Sequence, residues 1–310
     1  MRVAIIGQQD FGKAVLEAFL ARGDEVAGVF CAPEKPGAKP DPLRVAAQEM
    51  GLSLFQFPSL KGEDAHAAMR SLSADIGVMA YVLQFAPQSL VTIPARGTIQ
   101  YHPSLLPRYR GPSSINWPIA RGDTQTGLTI FRPTDGLDEG PVILQKTCAI
   151  GPDDTLGDVY FKGLFPLGVE ALLEAADLVV GDRHVEIDQD EDAATYEGWF
   201  RAAEAEIHWA SHADAVYDVI RASNPAPGAW TTLNGRKLQV FDARLHPVRR
   251  ISEVRGKPGE VVAADADGFT VCAQGGRIEV LKVKAEDGKK MSAGAFAASG
   301  GVAIGSVLGA

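Results

Sequence analysis

Apolar and polar positions follow two rhythms along this chain. Residues 2–7, RVAIIG, form a nearly continuous apolar run, which predicts a strand buried on both faces. From Phe11 to Arg22 the rhythm changes. Phe11, Val15, Leu16 and Phe19 recur at helical spacing, which predicts a helix with one buried face. Further strands are expected at Glu25–Phe30, Leu52–Phe57, Ile76–Ala80 and Gly97–Tyr101, with helices at Leu43–Met50 and Ala65–Leu72. Residues 32–42 carry four prolines and are read as a loop. Strands alternating with helices predict an α/β fold around a parallel, doubly wound sheet.

Later segments read differently. Thr126–Phe131 and Val142–Cys148 look like a hairpin pair, and Asp154–Val180 is helical except near Pro166 and Gly168. Residues 182–198 hold seven acidic residues in seventeen and few large apolar ones, so they are expected to be a surface linker. A helix at Ala213–Ala222 precedes turn-rich, alternating text: KLQVFDARL, GEVVAADADGFTVCA and GRIEVLKVK. This predicts a small antiparallel β-barrel as a second domain. The expected domains are a catalytic domain at 1–200, a barrel at 201–298 and a flexible, small-residue tail at 299–310.

Composition narrows the function classes. Hydrophobic residues are 46% and charged residues 22%, which fits a globular chain and excludes disorder or a collagen-like repeat. No stretch approaches eighteen uninterrupted apolar residues, so no membrane span is expected. The start, MRVAIIG, has no signal-peptide pattern. Three scattered cysteines, Cys31, Cys148 and Cys272, suggest neither a disulfide framework nor a metal site, and a cytoplasmic location is the natural expectation. The net charge of -9 is uneven: residues 1–200 hold 16 Lys and Arg against 27 Asp and Glu, whereas 201–310 hold 14 against 12. An acidic chain is a poor match for a polyanion such as tRNA.

Two segments carry candidate chemistry. In GTIQYHPSLLPRYRG (97–111), His102 stands where a strand ends and a proline-bracketed loop begins. Open α/β sheets bind ligands beyond such strand ends. Arg108 and Arg110 could hold the loop, bind an anion or face water. In DGLDEG (135–140), Asp135 and Asp138 sit in a turn and could act with His102 if the fold brings them together. By contrast, IIGQQDFG matches too few glycines of a dinucleotide fingerprint, and Gly7 and Gly12 are read as a tight strand-to-helix turn.

Together, QYHPSLLPRYRG and DGLDEG resemble the 10-formyltetrahydrofolate-dependent formyltransferase family. The resemblance is nearest to the N-terminal hydrolase domain of 10-formyltetrahydrofolate dehydrogenase, and methionyl-tRNA formyltransferase is related. SSINW (113–117), ILQK (143–146), ATYEG (194–198), IRASNPAPGAW (220–230) and EDGKKM (286–291) extend it over roughly 1–298. It implies a Rossmann-like folate-binding domain and an OB-like barrel, with 10-formyltetrahydrofolate as cosubstrate and neither metal nor nicotinamide.

The resemblance also implies a catalytic trio. His102 and Asp138 carry over directly, and the family's Asn position falls on Gln100. Folate is expected along Met79–Pro87, at Leu83, Gln84 and Phe85, and along Thr134, Asp135 and Asp138. The acceptor is then water, giving formate, or an amine. The proline-rich loop at 33–42 is short, with Lys35 and Lys39 as its basic residues, so hydrolysis is preferred. Formylation of methionyl-tRNA or of a sugar amine is the alternative, and a folate-binding module of a larger assembly is the non-enzymatic one.

Overall fold

The computed structural model describes residues 1–248 and 256–309. Contacts divide the chain into two compact units. The first comprises residues 1–111, 127–148 and 163–196; the second comprises 112–126, 149–162 and the chain from Glu197 onward. The domains expected from sequence are continuous, whereas these units are not.

The first unit is built on a seven-stranded sheet. Its strands are β1 (Arg2–Gly7), β2 (Glu25–Phe30), β3 (Leu54–Phe55), β4 (Ile76–Ala80), β5 (Thr98–His102), β6 (Gln125–Phe131) and β7 (Val142–Ala149), in the order β3-β2-β1-β4-β5-β6-β7. The first five are parallel. These five are the strands expected to form the parallel sheet, and β6 adds to its edge antiparallel to β5. Residues 103–124, which connect β5 to β6, form a loop and a short helix at Asn116–Ala120.

Helices cover both faces of this sheet. Ala4 and Ile6 of β1 face a core with Ala65, Met69, Leu90 and Val91, supplied by helices at Glu63–Ser71 and Gln88–Val91. Alternation along the strand sends Val3 and Ile5 the other way, where α1 (Gln9–Ala21) packs on the long helix Phe165–Val180. Gly7 lies where β1 comes so close to β4 that a Cβ would strike the carbonyl oxygen of Ala80. Gly7 thus serves the close packing of β1 on β4, and the chain enters α1 directly after Gln8. The helical stretch expected over 154–180 is three pieces: α-helix at Leu156–Asp158, a π-helical stretch at Val159–Leu164, then α-helix from Phe165. Pro166 falls in the first turn of the last piece, directly after the π-helical stretch.

The second unit holds a six-stranded antiparallel sheet. It contains β8 (Ala229–Leu233), β9 (Arg236–Pro247), β10 (Val261–Ala264), β11 (Phe269–Ala273), β12 (Gly276–Ala285) and β13 (Met291–Ser292), in the order β10-β11-β12-β9-β8 with β13 beside β12. The helix Ala213–Ala222 lays Val216, Tyr217 and Ile220 into its core.

As far as residue 309, the segment expected to be a flexible tail is joined to the sheet. Val307 bridges Glu260 and Leu308 bridges Leu233, next to the two open edges of the sheet. Gly305 donates its N–H to the carbonyl of Val261, and Gly309 to that of Thr232. Val302 and Leu308 are buried in the core. Unpaired sheet edges need partners, and this small-residue segment supplies them, closing the sheet into a barrel.

Candidate active site

The site starts on β5. Gln100 and His102 are two residues apart and therefore share one face of the strand. Gln100 pairs with Met79 of β4 and Phe131 of β6, and His102 pairs with Thr129. His102 is buried. The loop that follows is pinned at several points. The Ser104 hydroxyl donates to the carbonyl of Arg108 (2.7 Å), and the N–H of Leu106 donates to the hydroxyl of Thr129 (3.1 Å). Gln145 donates its amide to the Leu106 carbonyl at 2.7 Å. This loop ends with Tyr109 at φ 59°, and the Tyr109 carbonyl oxygen lies 2.9 Å from His102 Nε2.

That contact assigns the imidazole tautomer. A carbonyl oxygen can accept but not donate, so Nε2 carries the hydrogen. Nδ1 is then the nitrogen free for chemistry. It faces Asp138 Oδ2 at 3.5 Å, outside normal hydrogen-bond range. Oδ2 also accepts the N–H of Gly111 at 3.0 Å. Asp138 sits on the loop between β6 and β7 with φ 55°, a left-handed conformation that costs a residue with a Cβ roughly 1–2 kcal/mol.

Surrounding bonds hold that conformation. Gln189 Nε2 donates to the carbonyls of Asp138 (2.8 Å) and Gly140 (2.7 Å). Gln189 Oε1 accepts from Arg110 Nε (3.0 Å) and Nη2 (2.8 Å). Arg110 is fully buried and also donates to Glu191 and to the Tyr196 hydroxyl. The hydrogen bond to Glu191 raises the pKa of the guanidinium above its ordinary value. The acidic stretch 182–198 is therefore no free linker over these residues. It folds back along the loop after β5, where the N–H of Arg110 donates to the Thr195 carbonyl and the N–H of Thr195 to the Pro107 carbonyl. The three open roles for Arg110 reduce to one: it holds the loop.

The chain matches the formyl transferase family over residues 1–175 and the formyl transferase C-terminal domain over residues 200–300. This chain belongs to the formyl transferase family. It is 36% identical over 98% of its length to mitochondrial 10-formyltetrahydrofolate dehydrogenase from Mus musculus, and spans 34% of that protein. It is 37% identical to methionyl-tRNA formyltransferase from Chromobacterium violaceum, over the full length of both. Among solved structures, HypX from Aquifex aeolicus in complex with tetrahydrofolic acid aligns with TM-score 0.68 and 18% identity, covering 94% of this chain and 46% of HypX. WlaRD, a sugar 3N-formyl transferase with dTDP and 5-N-formyl-THF, aligns with TM-score 0.68 and 16% identity, covering 93% and 99%.

In this member of the formyl transferase family, the other expected site residues occupy two loops. Leu83, Gln84 and Phe85 follow β4, with Leu83 59% and Phe85 47% exposed. Gln84 uses its amide on the carbonyls of Phe57 and Pro58, so its side chain anchors the loop. The hydroxyl of Thr134 accepts from the N–H of Gly136 at 3.3 Å. Asp135 Oδ1 accepts the N–H of Gln88 at 2.9 Å, which ties the β6–β7 loop to the segment after β4. Gln100 shares a face with His102, and among the described residues its side chain forms no hydrogen bond. No group of three His, Cys, Asp or Glu is placed to hold a metal ion among the described residues, and no helix is long and apolar enough to cross a membrane.

Sequence reasoning missed Tyr109, Gly111 and Gln189, whose contributions are backbone or bridging contacts. Tyr81 and Leu137, which are 44% and 54% exposed, lie within the two segments where folate is expected. A shared signal runs through the site: Tyr81, Tyr109 and Asp138 are all non-glycine residues at positive φ. Such conformations cluster where surrounding structure overrides local preference, and no residue type announces them.

Proposed function

We propose that this chain removes the formyl group of 10-formyltetrahydrofolate, with water as the acceptor, releasing formate and tetrahydrofolate. The observation that carries the reading is the buried imidazole of His102, fixed at Nε2 by the Tyr109 carbonyl and turned with Nδ1 toward Asp138. Asp138 accepts a proton from the attacking water as its oxygen bonds to the formyl carbon. His102, carrying a second proton on Nδ1, donates from that nitrogen toward the oxyanion that forms there, with Gln100 as a second donor. The carbon–nitrogen bond then breaks, the folate nitrogen gains a proton, and formate leaves. Leu83, Phe85 and Leu137 leave apolar surface exposed on the two loops joined at Gln88 and Asp135, which suits a flat heteroaromatic ligand. A cytoplasmic setting goes with this reading.

Hydrolysis is supported by the identity to the dehydrogenases and by the acidic balance of residues 1–200. The test is incubation with 10-formyltetrahydrofolate, with and without candidate amines, followed by identification of the formylated product. Formate release without an amine is expected. Loss of the formyl group only when an amine is present would overturn hydrolysis, and no loss at all would leave a folate-binding module.

A second reading, formylation of methionyl-tRNA, has an observation of its own on the barrel. Lys237 lies over the Trp230 ring at 4.6 Å, and Lys290 over the Phe241 ring at 3.5 Å. The pKa of Lys290 is lowered, first by burial and then by neighbouring Lys282 and Lys284. Lys282, Lys284 and Lys290 together form a local basic surface, which suits a phosphate backbone. The full-length match to methionyl-tRNA formyltransferase supports the same reading.

A further inference from the structure

The polar groups behind Asp138 form a chain whose direction is unambiguous. Arg110 can only donate, and the carbonyls of Asp138 and Gly140 can only accept. Gln189 stands between them, so its Oε1 must face the guanidinium and its Nε2 the carbonyls. Both halves of the amide are committed: Oε1 to Arg110 Nε and Nη2 at 3.0 and 2.8 Å, Nε2 to Asp138 and Gly140 at 2.8 and 2.7 Å. Glu191 grips the same guanidinium through both of its oxygens, at 2.9 and 2.7 Å, and Arg110 stacks over the Tyr196 ring at 5.0 Å. None of these groups contacts His102. Everything they hold converges on the backbone of the residue whose carboxylate does.

We propose that Gln189 is a positioning residue for the reaction, and that the strap at 182–196 exists to deliver it. Arg110 and Glu191 hold Gln189, and Gln189 holds the Asp138–Gly140 turn in the conformation that points the Asp138 carboxylate at His102 Nδ1. This deepens the formyl-removal reading and rests on it for its catalytic meaning. The groups facing the His102 ring are the Asp138 carboxylate at Nδ1 and the Tyr109 carbonyl at Nε2. A displaced Asp138 would therefore register directly in the titration of His102.

Gln189→Glu separates positioning from mere support. Its carboxylate still accepts from Arg110, so the strap stays docked, but it has no donor for the two carbonyls. The experiment follows the Cε1 resonance of His102 against pH in labelled wild type, Gln189→Glu and Asp138→Asn, and measures kcat and KM for formyl release. Asp138→Asn removes a negative charge beside Nδ1 and should lower the His102 midpoint, whereas the charge added by Gln189→Glu would by itself raise it, so a fall in Gln189→Glu marks a displaced Asp138. Gln189→Glu should lower kcat by roughly 10- to 100-fold, as misplacement of a reacting group does, with KM changed far less. A His102 titration and kcat like wild type, while Asp138→Asn shifts the midpoint, would overturn the proposal. If Gln189→Glu does not fold, Glu191→Gln replaces it, at a side chain that is mostly exposed. Because Glu191→Gln also removes a negative charge, it is judged by turnover: a fall in kcat with KM little changed supports the proposal, and a wild-type kcat overturns it. If wild type itself releases no formyl group, the functional reading fails, and the titration still decides whether Gln189 sets Asp138.

Discussion

His102 Nδ1 faces Asp138 Oδ2 at 3.5 Å, although the two residues come from the end of β5 and from the loop between β6 and β7. The separation is too long for a strong hydrogen bond, and catalytic contacts of this kind commonly tighten when substrate binds. Both residues should therefore matter more for turnover than for binding. His102→Ala and Asp138→Ala are each expected to lower the rate of formyl release by roughly 10²–10⁴-fold, the range for one acid–base group. Folate affinity, measured by fluorescence titration, should stay close to wild type. A near-normal rate in Asp138→Ala would remove it as the base.

Gln100 offers a sharper comparison. It lies on the His102 face of β5, and its amide has no protein partner among the described residues, so it is available to a substrate oxygen. Single-turnover formyl release at saturating cofactor should fall by roughly 10²–10³-fold in Gln100→Ile if the amide donates to the oxyanion. An unchanged rate would take Gln100 out of the catalytic set.

The barrel makes a prediction about stability. Leu308 is buried beside the strand-closing contacts of the tail. Leu308→Ala should destabilise the second unit by about 2–5 kcal/mol, the cost of a core cavity, read as a lower urea midpoint. A midpoint equal to wild type would mean that the tail contributes nothing to the barrel.

Acid should weaken one helix start selectively. Asp158 accepts from the hydroxyl of Thr155 at 2.6 Å and from its N–H at 3.0 Å. Lys162 beside it, followed by these Thr155 bonds, lowers the Asp158 pKa to about 2 from the usual carboxylate value. A depressed folded-state pKa stabilises the fold above the unfolded value, and that stability is lost as pH falls toward 2. Asp158→Ala should therefore cost about 1 kcal/mol near pH 7 and progressively less between about pH 4 and pH 2. Thermal midpoints of the two proteins across this range are the check, and a gap that does not narrow would contradict the assignment.

The tRNA reading stands on lysines that can be reversed. Lys282→Glu with Lys284→Glu and Lys290→Glu should abolish any low-salt gel shift of initiator tRNA, since such binding is electrostatic. Binding by wild type that survives the triple change would exclude this face of the barrel.

Most of the first sheet could be read from the chain, because buried parallel strands are short apolar runs and the helices between them show a 3.6-residue period. His102 was legible for a similar reason: a polar residue at a strand end, followed by a proline-bracketed loop, is local information. Asp138 was legible through its motif, but its distance from His102 was not. The antiparallel turn at β6 and the closing of the barrel by residues 305–309 depend on which edges lie free in space, and small residues carry no pattern that says so. The role of the acidic stretch was hidden for the opposite reason. Asp, Glu and Gln look solvated in sequence, and only the burial of Arg110 gives Glu191 and Gln189 a partner. Residue types along the strands determined the sheet and one member of the proposed catalytic pair. Tertiary structure decided the pairing itself, because positive-φ backbones at Tyr109 and Asp138 are set by long-range hydrogen bonds rather than by the residues that adopt them.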